Sequence, residues 1–309
     1  MRIIFFGTPD FALPSLRALV SSGEDVVTVV TQPDRVKGRG HILSQPPVKE
    51  VASSYGIPVL QPSGLRSAEF FDTISILAPD MVVVVAYGKI LPAALLGLPP
   101  KGCINLHASI LPKYRGAAPI QWAIVRGERT TGVTTMLMDE GLDTGDTFLM
   151  ETTEILPEDT ASTLSARLSV MGSRLLLETI DRVKEGSVRP VPQKGEPSYA
   201  PIIRKDDGKI DWNRSALDIF NLARGMFPWP GAFGSIRREK VILIKTKVMG
   251  DTTRGAPGVI EKIWKNELLV STGRGVLSII EMKPEGRQSM SGAAFARGRY
   301  MKEGMSFDL

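Results

Sequence analysis

Apolar runs and stretches of helical period alternate along the first half of the chain. Arg2–Phe6, Val26–Thr31, Val59–Leu60 and Met81–Ala86 read as strands, and the stretches near Ala12–Ser21, Val48–Tyr55 and Ala68–Leu77 read as helices between them. Val82-Val83-Val84-Val85 has no polar alternation, which marks a strand buried on both faces. Strand and helix in regular succession predict a parallel sheet covered on both sides. Gly102–His107 adds a strand, Ile120–Val125 a short helix, and Gly132–Met138 with Thr147–Ile155 a strand pair. Leu164, Leu168, Met171, Leu175 and Val183 then recur at three-to-four-residue steps. They predict one helix over about Ala161–Lys184, capped by Asp159 or Thr160, whose apolar stripe is core.

The pattern changes after that helix. From Val188 to Asp207 the prolines at 190, 192, 197 and 201 interrupt any periodicity, so the segment reads as an extended linker. A helix near Ala216–Met226 precedes Pro228-Trp229-Pro230-Gly231, and Lys240–Val248, Gly258–Trp264, Leu268–Thr272 and Val276–Met282 follow as short strands between glycine turns. Such strands predict a small barrel.

Composition narrows the chemistry. At 309 residues the chain can hold two cores. One cysteine, Cys103, excludes an internal disulfide, and with only two histidines no metal centre is expected. Cys103 reads as a small buried thiol. Met1–Gly7 is too short for a secretory segment and no run reaches membrane-spanning length, so a cytoplasmic protein with no membrane partner is expected. Charge is unevenly placed: residues 1–206 carry 21 Lys+Arg against 22 Asp+Glu, whereas residues 207–309 carry 17 against 11. A basic second domain suits a polyanionic partner, though a plain solvated surface has the same sign.

The stretch with most chemistry is Asn105-Leu106-His107-Ala108-Ser109-Ile110-Leu111-Pro112-Lys113-Tyr114-Arg115-Gly116. Asn105 and His107 lie two apart, so on a strand both side chains leave one face, and His107 falls at a carboxyl end, where ligands of such sheets bind. A carboxylate suits a histidine there. Asp143 is the candidate, although Asp139, Glu140 and Asp146 share its turn and composition alone does not choose among them. Glycines 141 and 145 would let that turn bend. An amide, an imidazole and a carboxylate without a serine or cysteine nucleophile fit acyl transfer to an amine, with the substrate supplying the nucleophile. Gly7-Thr8-Pro9-Asp10 lacks the spaced glycines of a dinucleotide fingerprint, which disfavours a nicotinamide dehydrogenase.

The 105–116 run followed by Gly-Leu-Asp-Thr-Gly-Asp at 141–146 resembles the signature of the folate-dependent formyltransferases. Gly-Thr-Pro-Asp-Phe-Ala at 7–12, Thr-Gln-Pro-Asp-Arg at 31–35, Gly-Arg-Gly at 38–40, Gly-Ala-Ala-Pro-Ile-Gln at 116–121 and Pro-Trp-Pro-Gly-Ala-Phe at 228–233 are similar to blocks of the members that act on methionyl-tRNA. The resemblance covers nearly the whole chain. It implies an α/β fold in which a Rossmann-like parallel-sheet catalytic domain, 1–189, is followed by a linker, 190–207, and a small C-terminal β-barrel (OB-like) that binds tRNA, 208–309. It also implies transfer of the formyl group of the co-substrate 10-formyltetrahydrofolate to the amine of initiator methionyl-tRNA, for translation initiation. Asn105 and His107 would bind the formyl oxygen and Asp143 would pair with His107. Ser109, Ile110, Leu111 and Pro112, with Ile90 and Leu91, would border the folate.

For RNA, the resemblance assigns Arg39, in the long charged connection Gln32–Pro47, to the acceptor arm. Arg237, Arg238 and Lys240, with Lys245 and Lys247, would put positive charge on the first barrel strand. His41 has no motif support, and a monomer is expected. Two other readings remain open on sequence: a formyltransferase for a small amine such as glycinamide ribonucleotide or an amino sugar, and a silent folate- or RNA-binding module. The Arg-containing loop and basic barrel weigh against the first, the intact triad against the second.

Overall fold

The computed structural model describes residues 1–37, 42–253 and 255–308. Arg39 and His41 lie outside the described residues. By internal contacts the chain forms two compact units. One comprises Met1–Pro119, Thr130–Thr153 and Ser165–Pro201; the other comprises Ile120–Arg129, Glu154–Leu164 and Ile202–Leu309.

The first unit is a seven-stranded sheet. Its elements in chain order are β1 (Arg2–Gly7), α1 (Leu13–Ser21), β2 (Asp25–Val30), the small hairpin β3 (Arg35–Lys37) and β4 (Ile42–Ser44), α2 (Pro47–Ser54), β5 (Val59–Leu60), α3 (Ala68–Ile76), β6 (Met81–Val85), α4 (Ala93–Leu96) and β7 (Cys103–His107). The chain then forms the short helix α5 (Pro119–Val125), which from Ile120 onward belongs to the second unit, and returns with β8 (Thr130–Leu137), β9 (Thr147–Glu154) and the long helix α6 (Ala161–Glu185), whose residues from Ser165 belong to the first unit. The strand order is β5-β2-β1-β6-β7-β8-β9. The strands from β5 to β7 are parallel, and β7 meets β8 antiparallel. The apolar runs explain the middle: every residue of β6 and β7 is buried. Ile4, Phe6, Val82 and Val84 pack on α3 through Phe70 and Ile74. The predicted stripe of α6 is buried at Leu164, Leu168, Met171 and Leu175. Thr179 of α6 meets Thr135 of β8 through their hydroxyls at 2.8 Å.

The order in which strands are added to the sheet reverses at β1, with β2 and β5 on one side of it and β6 and β7 on the other, which places the topological switch between β1 and β6, one strand from β7. Ligands of open α/β sheets bind beyond the carboxyl ends near such a point, and His107 is the last residue of β7.

The second unit contains α7 (Ala216–Gly225), β10 (Ala232–Ile236), β11 (Glu239–Gly250), β12 (Ile260–Trp264), β13 (Glu267–Ser271), β14 (Val276–Pro284), β15 (Met290–Ser291) and α8 (Gly292–Gly298). The antiparallel sheet runs β10-β11-β14-β13-β12, with β15 on β14. Trp212, Ile219, Leu243, Ile279, Phe295 and Phe307 are in its core. Its outer strands are joined through the C-terminal segment: the Asp308 N–H donates to Ser235 on β10, and Phe307 to Gly258, while Ile260 donates to Met305. The sheet thus closes through isolated bridges, in keeping with the expected barrel. Arg237 and Arg238 do not lie on a strand, as the sequence suggested. Both have positive φ, 52° and 62°, and they form the two-residue turn between Ile236 and its cross-strand partner Glu239, the geometry that matches strand twist.

The 190–201 stretch has neither helix nor continuous strand, yet it is docked. Val191 exchanges backbone hydrogen bonds with Thr147 at 2.8 and 2.9 Å, and Tyr199 forms a parallel bridge with Arg115.

Candidate active site

The site lies within the first unit. Asn105 and His107 are 8% and 6% exposed, and both side chains turn to Asp143. The Asn105 Nδ2 donates to Asp143 Oδ1 at 3.5 Å, and His107 Nδ1 is 3.6 Å from Asp143 Oδ2. The same Oδ2 accepts the Gly116 N–H at 2.8 Å. One carboxylate therefore collects an amide, an imidazole and a backbone donor.

The acid that sequence alone left open is set by the turn between β8 and β9. Asp139 is engaged locally, accepting from the Gly141 N–H at 3.0 Å and from the Thr144 hydroxyl at 2.7 Å. Asp143 occupies the left-handed region at φ 53°, which costs a non-glycine residue energy and holds its carboxylate over β7. The bend expected of the neighbouring glycines therefore falls on Asp143 itself. Gly145 is glycine for a different reason: a Cβ there would stand within 1.8 Å of the Leu137 carbonyl oxygen.

His107 is held on its other side too. Its Nε2 is 2.9 Å from the Tyr114 carbonyl oxygen. A carbonyl only accepts, so Nε2 carries hydrogen and Nδ1 is the nitrogen turned to the carboxylate. Nδ1 stands 3.6 Å from the carboxylate, a separation that makes an ion pair only when the ring also carries a proton there. Both ring nitrogens face protein partners, whereas the Asn105 amide nitrogen has a second hydrogen beyond its contact with Asp143.

The Ser109–Pro112 segment forms a closed turn below the site. Ser109 donates its hydroxyl to the Lys113 carbonyl at 2.6 Å, Leu111 N–H reaches Thr134 Oγ1 at 3.3 Å, and that hydroxyl donates to the Ser109 carbonyl at 2.7 Å. The Ser109 hydroxyl is thus occupied. Burial pushes the Cys103 thiol up to about 12, so no thiolate is on hand either. Ser109, Leu111, Pro112 and Leu91 are buried, Ile110 is half-buried and Ile90 is 72% exposed. Leu91 joins the core with Phe6 and Tyr87.

Sequence reasoning missed Gln193, Ser198, the Tyr114 carbonyl and the Gly116 N–H. The last two sit inside the 105–116 run, while Gln193 and Ser198 come from the proline-rich stretch, where no periodicity flagged them. Among the described residues no cluster of His, Cys, Asp and Glu suits a metal, and no helix is long and apolar enough to cross a membrane.

A family profile described as "Formyl transferase" matches residues 1–180, and one described as "Formyl transferase, C-terminal domain" matches residues 202–300. This chain belongs to the formyl transferase family. A protein of Thermodesulfovibrio yellowstonii named methionyl-tRNA formyltransferase is 54% identical to this formyl transferase over 98% of the chain and 97% of its own length. Among solved structures, the sugar 3N-formyl transferase WlaRD, described with dTDP and 5-N-formyl-THF, shares the fold at a TM-score of 0.67 with 18% identity, covering 93% of this chain and 99% of that one. HypX from Aquifex aeolicus, in complex with tetrahydrofolic acid, gives a TM-score of 0.65 with 18% identity. This formyl transferase covers 96% of its own chain in that match and spans 47% of HypX.

Proposed function

We propose that the chain transfers the formyl group of 10-formyltetrahydrofolate to the free amino group of initiator methionyl-tRNA. The observation that carries the chemistry is the Asp143 carboxylate held by Asn105, His107 and the Gly116 N–H, with the Ser109 hydroxyl bound to the Lys113 carbonyl and the Cys103 thiol kept protonated by burial. The full-length likeness to the T. yellowstonii protein supports the acceptor.

The folate supplies the formyl group, and the acceptor amine is the nucleophile. Asn105 donates its second N–H to the oxygen that gains negative charge as the amine adds. His107, fixed between Asp143 and the Tyr114 carbonyl, lends positive charge beside that oxygen. Asp143 maintains the charged ring and helps move the proton that the amine loses to the folate nitrogen, whose bond to the formyl carbon breaks as the adduct collapses and releases tetrahydrofolate. The loops leaving the neighbouring strands β6 and β7 border the folate, with Ile90 offering an exposed apolar side chain and Ser109, Ile110, Leu111, Pro112 and Leu91 forming the packed floor.

The RNA contact includes the β10–β11 turn. Arg237 and Arg238 are exposed there, and Lys240 is half-buried with its ammonium 3.7 Å from the Phe233 ring centroid. Arg237 Nη1 also donates to the Arg299 carbonyl at 3.1 Å, next to Tyr300, which is 86% exposed. Cations beside an open aromatic ring suit phosphate and base contacts.

Incubation with formyl-labelled 10-formyltetrahydrofolate and methionyl-tRNA tests the whole assignment. Label recovered on the esterified methionine is expected. Label on glycinamide ribonucleotide or an amino sugar, with none on methionyl-tRNA, would overturn it.

A further inference from the structure

We propose that Gln193 is a positioning residue for formyl transfer, acting through Asp143; the inference rests on the role proposed for that carboxylate. Gln193 belongs to the proline-rich stretch that sequence marks as a linker. Its Nε2 donates to two backbone carbonyls of the β8–β9 turn, those of Asp143 and Gly145, both at 2.8 Å. Its Oε1 accepts from Arg115 Nη2 at 2.7 Å and Nε at 3.2 Å. The orientation of the amide is unambiguous. A guanidinium only donates, so the oxygen must face Arg115, and the two amide hydrogens must face the two carbonyls.

The consequence is a brace across the site. One side chain ties the turn that carries Asp143 to the loop whose next residue, Gly116, donates to the Asp143 carboxylate. The braced turn needs restraint, because Asp143 has positive φ and such a residue persists only where its surroundings over-determine it. Two contacts at 3.5 and 3.6 Å join Asp143 to Asn105 and His107. They are long enough that a small drift of the turn would break both. The same strap holds the other side of His107: Ser198 Oγ accepts the Tyr114 N–H at 2.9 Å, and Tyr114 supplies the carbonyl against Nε2. Gln193 touches neither imidazole nor amide, so its effect on chemistry travels through the placement of Asp143.

The test is a double-mutant cycle on the full chain, using kcat and KM for formyl transfer. Gln193→Met removes both arms at similar volume. Gln193→Glu keeps the acceptor for Arg115 and removes the donors to the turn. Both are expected to lower kcat about 10–100-fold, the range for an ångström-scale misplacement, with KM for either substrate within about threefold of the parent. In an Asp143→Asn background, Gln193→Met should lower kcat by less than about twofold, since the group being positioned is already gone. A Gln193→Met enzyme within twofold of the parent, or an equal further loss in the Asp143→Asn background, overturns the proposal. A Gln193→Glu enzyme as active as the parent does the same even if Gln193→Met fails to fold. Full activity of Asp143→Asn alone would instead refute the underlying role of Asp143, so the two failures are distinct.

Discussion

Replacing Asp143 by Asn is the sharpest perturbation of the site, because it changes charge while nearly preserving shape. With the ring protonated, as the proposed mechanism requires, unit charges 3.6 Å apart attract by about 4–5 kcal/mol at an effective dielectric constant of about 20. The 15% exposure of the Asp143 side chain reduces that figure. The hydrogen-bond pattern changes as well. The new amide oxygen is required at the Oδ2 position to accept the Gly116 N–H, so its NH2 falls where Oδ1 meets Asn105. Two amide donors then face each other. Asn105 must turn its own oxygen inward, taking its N–H groups away from the substrate oxygen.

Loss of both effects should lower the single-turnover rate of formyl transfer roughly 10²–10³-fold, within the span of general acid–base contributions. The fold should survive, since asparagine tolerates positive φ better than most residues, with the midpoint of thermal unfolding lowered by about 2–4 °C for each kcal/mol of attraction lost. Rapid-quench measurement with saturating enzyme isolates this step from product release. A rate within threefold of the parent would refute the assignment of Asp143.

Three further outcomes follow from other parts of the molecule. Gly116→Ala should destabilise the protein by about 1–3 kcal/mol in urea unfolding, because its φ is 118° and a Cβ would stand 2.7 Å from the Ala200 carbonyl oxygen; an unchanged midpoint would contradict the close approach. Hydrogen bonds from Arg299, at 2.6 and 2.8 Å, hold the Glu239 carboxyl below its usual 4.5. A carboxylate with a lowered folded pKa stabilises above its unfolded value and loses that contribution as pH falls through the folded one. Unfolding followed from pH 6 downward should therefore show a shallower acid limb in Glu239→Gln, and parallel limbs would count against the pair. Reversing Arg237, Arg238 and Lys240 to Glu should weaken methionyl-tRNA binding and flatten its salt dependence by roughly one unit of slope per lost phosphate contact; anisotropy titrations with unchanged affinity and slope would move the RNA contact elsewhere.

Much of the first unit was legible because its strands are apolar without interruption. The β6 run Met81–Val85 and the Asn105–His107 spacing translate directly into a buried strand with two side chains on one face. Asp143 was harder: four acids share one turn, and what selects among them is a backbone conformation and the local engagement of Asp139, neither written in spacing. Gln193 was invisible, since its partners are 48 to 78 residues away in sequence. In the second unit Arg237-Arg238 carries none of the Asn-Gly chemistry that signals a tight turn, so the hairpin passed as a strand. Helix α8, Gly-Ala-Ala-Phe-Ala-Arg-Gly, is too short and too rich in small residues for a period to emerge.

The segment that ties β10 to the residues around Gly258 also bears on how this protein behaves in concentrated solution. Trimming residues 304–308 would strip the partners from Ser235, Gly258 and Ile260 and leave hydrogen-bonding backbone on opposite margins of one sheet. Open margins of that kind recruit strands from neighbouring molecules. A shortened protein should therefore self-associate before it loses helical content, with light scattering rising ahead of any change in circular dichroism.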